Sequence, residues 1–247
     1  MVAGSLSWLF TNSFVASEAI AGSDQVFTVG DKTVTLKTIL VGSGHTYFLP
    51  HEDESTALAV VKSVVRGKGG RILWLSHGGG RNISFSLGGK TYSVDPNRMF
   101  SDKGAKASLK NLGQYSTEAL KEVRTLGEEV VGAVFQTVGL VVGMHNNTNG
   151  NYSAANYLPG GSLAQEAHQV FVAEGADPDD FFFTTSEEIF RRLKAHGFSV
   201  VQQKRGIADD GSLSVRCQRS GVPYVNVEAQ HGHATAQKEM LNALLSL

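Results

Sequence analysis

The stretch TYFLPHEDESTALAVVKSVVRGKGGRILWL, residues 46–75, reads as strand, helix, strand. Thr46–Leu49 is a short strand. From Asp53 to Arg66, the residues Leu58, Val61, Val64 and Val65 recur at i, i+3, i+6 and i+7, which is the spacing of one helical face. Gly67-Lys68-Gly69-Gly70 ends that helix, and Arg71–Leu75 is an apolar run of the kind found in buried strands.

The same alternation extends outward on both sides. Val26–Val29 and Thr33–Leu36 flank Gly30-Asp31-Lys32 as a hairpin, and Thr38–Val41 follows as a further short strand. Ile83–Leu87 and Thr91–Val94 form a second hairpin around Gly88-Gly89. Ser116–Thr137 reads as a helix, and the continuous apolar run Leu140–Met144 as a central strand. Phe181–Thr184, Phe198–Val201 and Tyr224–Val227 are strands. Ser186–His196 is a helix, with Thr185 and Glu188 at capping-box spacing. His233–Leu245 is a closing helix with Met240, Leu241 and Leu244 on one face. The expected fold is α/β, a mixed and mostly buried central sheet flanked by helices. Ligands in such sheets bind beyond the carboxyl ends of the strands.

Composition narrows the function classes. The 247 residues carry a net charge of −1, which argues against a nucleic-acid partner held by a basic surface. The lone cysteine, Cys217, excludes an internal disulfide framework and any Cys-rich zinc or iron–sulfur site. No run reaches the ~18 apolar residues of a membrane span. Met1–Ala21 lacks Lys and Arg, its apolar runs are broken by Thr11-Asn12-Ser13, and Ala19-Ile20-Ala21 resembles a cleavage site. Residues 1–24 are therefore expected to be either a signal remnant or the first structured segment. This slightly favours a periplasmic or secreted location. Residues 25–247 are expected to form a single catalytic α/β domain.

Histidine carries most of the chemical information. His51, His77, His145 and His231 all fall at or near strand ends. His51 and Glu54 have His-x-x-Glu spacing at a strand-to-helix junction, where a three-residue offset lets both side chains converge. An imidazole and a carboxylate meeting there make two thirds of a His₂Glu metal site. The alternative is a helix-start acid complementing the dipole beside a surface histidine. His145 leaves a buried strand into Asn146-Asn147-Thr148-Asn149-Gly150, a polar setting that suits a fixed ligand. Asp95-Pro96-Asn97-Arg98-Met99-Phe100 presents an Asn–Arg pair able to clamp a carboxylate, or simply makes a turn. Glu228 ends an apolar strand, where a carboxylate either faces solvent or is held for a purpose. Ser76-His77-Gly78-Gly79-Gly80-Arg81 could cradle a phosphate, although the chain has no P-loop or dinucleotide fingerprint. His231-Gly232-His233 is another metal pair by spacing, but its closeness to Glu228 favours a pocket role over ligation.

In this order the motifs resemble those of the zinc carboxypeptidase family and its relatives, the succinylglutamate desuccinylase and aspartoacylase group. The family pattern is His-x-x-Glu, an Asp-x-Asn-Arg-x-Phe segment, a strand-end His and a Glu on a late strand. Here these are His51 with Glu54, Asp95 to Phe100, His145 and Glu228. The resemblance implies one zinc ion held by His51, Glu54 and His145. It also implies a substrate carboxylate held by Asn97 and Arg98, with Glu228 acting on the attacking water. Arg81 takes the place of an arginine that polarises the scissile carbonyl. Tyr152, Tyr157 and Tyr224 all stay open as counterparts of the family's mobile tyrosine.

The expected activity is zinc-dependent hydrolysis of an amide bond next to a free carboxylate, on a peptide or peptidoglycan-stem substrate. The alternatives are a small-molecule N-acyl amino acid deacylase and a non-catalytic carboxylate-binding protein on the same fold.

Overall fold

Among the described residues, ten strands join in one sheet with helices between many of them along the chain. The structure is a computed structural model that describes residues 20–136 and 139–247. The chain opens with β1 (Ile20–Ala21), β2 (Gln25–Val29), β3 (Lys32–Val41), β4 (Thr46–Leu49), α1 (Ser55–Lys68) and β5 (Gly70–Ser76). The hairpin β6 (Ile83–Leu87) and β7 (Lys90–Val94) follows, then α2 (Asp102–Asn111), α3 (Thr117–Val134) and β8 (Val141–Asn147). The last part holds β9 (Ala167–Phe171), β10 (Phe181–Thr184), α4 (Glu187–Ala195), β11 (Val200–Gln203), α5 (Leu213–Arg219), β12 (Tyr224–Gln230) and α6 (Ala234–Leu244).

β1 and β2 both pair with β3, and the sheet then runs β3–β5–β4–β8–β12–β10–β11–β9. Its centre is parallel: β5, β4, β8 and β12 point the same way, and β10 is antiparallel to β12. Every residue of β4 and β8 is buried, as expected for central strands covered on both faces. One face packs on α1, α4 and α6 through Tyr47, Leu49, Val142, Val225 and Val227. The other packs on α2, α3, α5 and the β6–β7 hairpin through Phe48, Val141 and Tyr224. A smaller cluster of Tyr157, Phe181, Phe183 and Val201 lies beside the segment that follows β8.

The mixed, helix-flanked sheet is the expected fold class. Several details differ from the sequence reading. Thr33–Leu36 and Thr38–Val41 are one continuous strand, β3, because Thr35–Val41 pairs without a break along β5. α1 begins at Ser55 and α3 ends at Val134. The cap of α4 is Ser186, whose hydroxyl accepts from the Ile189 N–H. Thr185 instead bonds the backbone of Tyr224. α2, β9 and α5 were not foreseen. Of the expected N-terminal segment 1–24, residues 1–19 lie outside the described residues. β1 pairs with Ile39–Leu40, and Asp24 accepts from Lys37 Nζ at 2.7 Å and the Thr38 N–H at 3.2 Å. Among the described residues no helix is long and apolar enough to cross a membrane.

Candidate metal centre

β4 ends at Leu49, and the chain turns through Pro50 to Glu54 before α1 begins. The Glu54 N–H donates to the His51 carbonyl at 3.4 Å, which closes the turn and brings the two side chains together. They meet in the turn before the helix, not within its first turn. Glu54 occupies the cap position of α1, yet its side chain makes no capping bond, and the first helical turn has no acidic residue. The alternative paired a helix-start acid with a surface histidine, and His51 is buried. The start of α1 is served instead by Asn146, whose Oδ1 accepts from the Ala57 N–H at 2.8 Å.

β8 and β12 supply the rest by alternation. Residues at every second position share a face, so Val141, Gly143 and His145 line up on β8, and Tyr224, Asn226 and Glu228 on β12. His145 and Glu228 are register partners in this parallel pair. Gly143 has a reason to be glycine: a Cβ there would overlap the Tyr224 hydroxyl lying across it. A buried amide pair fixes the strand ends. Gln237 of α6 donates to the His145 carbonyl at 2.8 Å, and Asn146 Nδ2 reaches the Ala229 carbonyl at 3.2 Å and Gln237 Oε1 at 3.3 Å. The amides after His145 thus hold the backbone and not the ring.

His51, Glu54 and His145 converge, with one donor atom from each lying within 4.8 Å of the others, and all three are buried. His51 Nδ1 is 2.8 Å from Glu54 Oε1, and His145 Nδ1 is 3.2 Å from Glu54 Oε2. Glu54 Oε2 is buried and makes no hydrogen bond of good geometry. His51 Nε2 lies 2.9 Å from Asp95 Oδ1 on the opposite side of the ring. Burial opposes charge on His51, but Glu54 and Asp95 override it and push its pKa up to about 9. Burial likewise opposes ionisation of Glu54, yet the two histidines hold its carboxyl well below the usual carboxylate range. Asp95 is also held low, against burial, by its bond to His51. Two imidazoles and a carboxylate with an orphaned buried oxygen fit a divalent metal of the zinc type. A carboxylate behind one imidazole is the usual support for such a ligand.

Glu228 is buried, and burial pushes its pKa up to about 7, with His145 pulling downward and Glu54 adding to the rise. Asn226 Nδ2 donates to Glu228 Oε2 at 2.9 Å. A carboxyl group poised near neutrality is suited to taking and returning a proton.

All seven sequence-predicted residues, His51, Glu54, Arg81, Asn97, Arg98, His145 and Glu228, line one cleft of about 410 Å³. Arg81 Nη1 donates to Glu54 Oε1 at 2.8 Å, so in this state its guanidinium faces the carboxylate of the centre. Asn97 and Arg98 sit in a short helical turn whose first N–H is accepted by Asp95. Asn97 Oδ1 accepts from the Leu213 N–H at 3.2 Å, and Arg98 stands 3.7 Å from Asp210 Oδ2. Sequence reasoning named Asp95 only as part of a motif and missed its bond to His51. The aspartate opening that motif was the available signal.

The phosphate reading of the Ser76–Arg81 loop is overturned. The N–H groups of His77, Gly78 and Gly79 all donate to Glu52 Oε2, at 2.6, 2.8 and 2.8 Å, and Ser76 Oγ donates to Glu52 Oε1 at 2.7 Å. The anion nest is real, but the chain's own carboxylate fills it. His231 and His233 do not act as a pair. His231 lines the cleft, whereas His233 Nδ1 lies 3.0 Å from Asp180 Oδ2. Of the three open tyrosines, Tyr152 lines the cleft, and its hydroxyl meets that of Tyr157 at 2.6 Å.

No family model and no curated protein sequence matches this chain. Two solved structures resemble it in chain path. One is the succinylglutamate desuccinylase from Chromobacterium violaceum, at 14% identity and a TM-score of 0.46, covering 92% of this chain and 70% of that one. The other, from Shewanella amazonensis SB2B, is described as a “putative metallopeptidase”, at 13% identity and a TM-score of 0.42, covering 91% of this chain and 84% of that one.

Proposed function

We propose that this protein is a zinc-dependent hydrolase of an amide bond next to a free carboxylate, and that its substrate is a peptide or peptidoglycan stem. The observation that carries this reading is the pairing, across two adjacent parallel strands, of a buried carboxyl near neutrality with a buried His-Glu-His group in one cleft. A zinc ion held by His51, Glu54 and His145 would supply Lewis acidity toward the carbonyl and lower the pKa of water toward ~7.

The chain's own residues do the rest. Asp95 orients His51 so that Nδ1 faces the centre. Glu228 takes the proton of the attacking water and passes it to the departing amine. Asn97 and Arg98 hold the substrate carboxylate and so set the carbonyl in line for attack. Arg81, half-exposed at the cleft, stabilises the charge that develops on the carbonyl oxygen.

A cleft of about 410 Å³ is of small-molecule size, which keeps an N-acyl amino acid deacylase as the second reading. The test is a panel of C-terminal peptides, peptidoglycan stem peptides and N-acyl amino acids, each assayed after metal removal and again after zinc is restored. Zinc-restored hydrolysis of one class supports the proposal and names the substrate. Binding without turnover across the panel would leave the carboxylate-binding protein as the correct reading.

A further inference from the structure

A second set of metal-type donors gathers away from the cleft. Asp177 and Asp180 lie in the turn that leads from β9 into β10, and His233 stands just after β12, at the cap position of α6. One donor atom from each of these side chains lies within 4.8 Å of the others, and all three residues are half-buried. None of the three lines the cleft that holds His51, Glu54 and His145.

Local bonding turns these atoms toward one another. Asp177 Oδ1 accepts from the Asp179 N–H at 2.9 Å, and Asp180 Oδ1 accepts from the Gln230 N–H at 2.9 Å. Each carboxylate is thus fixed through one oxygen and presents the other to His233 Nδ1. Asp180 Oδ2 lies 3.0 Å from that nitrogen and Asp177 Oδ2 3.9 Å. His233 is not spent on the helix, since its side chain makes no capping bond. Its Nδ1 carries at most one hydrogen. The 3.0 Å contact uses that hydrogen, so Asp177 Oδ2 receives none. Among the described residues, neither aspartate forms an ion pair with a lysine or an arginine. Two carboxylate oxygens therefore converge on one imidazole nitrogen, with no cationic side chain but His233 to balance them.

We infer that Asp177, Asp180 and His233 hold a second divalent cation, of the zinc or manganese class, with water completing its shell. One nitrogen and two oxygens suit such ions. Calcium prefers a shell of oxygen ligands alone and is poorly served by an imidazole. The ion replaces the hydrogen on Nδ1. Its role is structural. The two aspartates flank Asp179, which is 2% exposed and whose carbonyl accepts from Asn147 Nδ2 at 2.7 Å. The Gly150 N–H donates to Asp179 Oδ2 at 2.5 Å. Asn147 in turn lines the cleft. An ion joining the β9–β10 turn to the start of α6 therefore steadies the wall that follows His145.

The test counts ions. The untagged full chain is stripped with chelator and dialysed against zinc, manganese or calcium, and bound metal is measured by elemental analysis. The parent is expected to hold about two zinc ions per chain. Asp177→Asn combined with Asp180→Asn keeps both Oδ1 acceptors but removes the ligand charges, and it should lose one ion. His51→Ala combined with His145→Ala should keep one, and zinc should still raise its melting temperature. Adding Asp177→Asn to that protein should weaken the remaining ion at least ~10-fold and abolish the rise. His233→Gln, made in the parent, should lose the same ion, and it decides the matter if the aspartate variants do not fold. Zinc content unchanged in both the asparagine variant and His233→Gln overturns the inference. So does loss of all zinc with His51 and His145, or calcium held in preference to zinc and manganese. A parent whose single ion disappears with Asp177 and Asp180, and not with His51 and His145, supports this site and sinks the reading of the main centre.

Discussion

His51 stands between two carboxylates, with Glu54 2.8 Å from Nδ1 and Asp95 2.9 Å from Nε2. The ring can therefore offer Nδ1 to a metal only while Asp95 receives the proton on Nε2. Asp95→Ala should weaken zinc affinity by about 10–100-fold. Competition against a chromophoric chelator measures this, and unchanged affinity would show that the 2.9 Å contact does not orient the ligand.

Glu228→Gln keeps the shape and the bond to Asn226 but cannot take a proton. Turnover is expected to drop by about 10²–10⁴-fold at unchanged zinc content. Elemental analysis beside a rate measurement decides the matter. A fully active variant removes Glu228 from the mechanism, and a metal-free variant makes it a ligand.

The metal-free protein should lose stability as pH rises from about 5 to 9. The folded pKa of His51, about 9, lies above its unfolded value of 6.5, so its contribution is complete below 6.5 and disappears as pH rises through about 9. Glu228 acts in the same direction, because the folded chain keeps its proton between 4.5 and about 7, where the unfolded chain releases it. Glu54 and Asp95, held low, are already fully favourable above the ordinary carboxylate range. Zinc must displace the His51 proton, so the difference in melting temperature between zinc-loaded and metal-free protein should widen from about pH 6 to about 9. A constant difference across that range contradicts the assignment.

Arg98→Ala should raise KM for carboxylate substrates by about 10–100-fold, the worth of one charge-assisted bond, with a smaller change in kcat. An uncharged C-terminal amide substrate should show little response to the same substitution. Equal losses on both substrates would point to a structural role through Asp210.

Glu52→Ala should destabilise the protein by about 1–2 kcal/mol, lowering the melting temperature by roughly 2–8 °C. Emptying the nest formed by His77, Gly78 and Gly79 should also make the variant, but not the parent, more stable in added phosphate. Thermal melts with and without phosphate test both statements.

Much of this was legible from the chain because strands announce themselves by local pattern. Thr46–Leu49 and the apolar run from Leu140 locate two central strands, and the histidines that follow inherit their position from strand direction alone. What was not legible depends on groups far apart in sequence. Asp95 lies 44 residues from His51, and Gln237 lies 92 from His145. Glu52 fills a glycine-rich loop 25 residues away that, taken alone, looks made for phosphate. Arg81 lines the cleft as expected, and its contact with Glu54 joins residues 27 apart in the chain.

The pairing of His145 with Glu228 has a consequence for how the protein can err and how it can vary. Their spacing is set by the hydrogen-bond ladder between β8 and β12, which acts as a ruler. A one-residue slip would turn one of them away from the other, so a chain misassembled at that point would lose the candidate site even if compact. Loops elsewhere at the rim can be lengthened, trimmed or exchanged without altering that ruler. On the proposed function, the reacting groups are set by the backbone lattice and the choice of substrate is left to the perimeter.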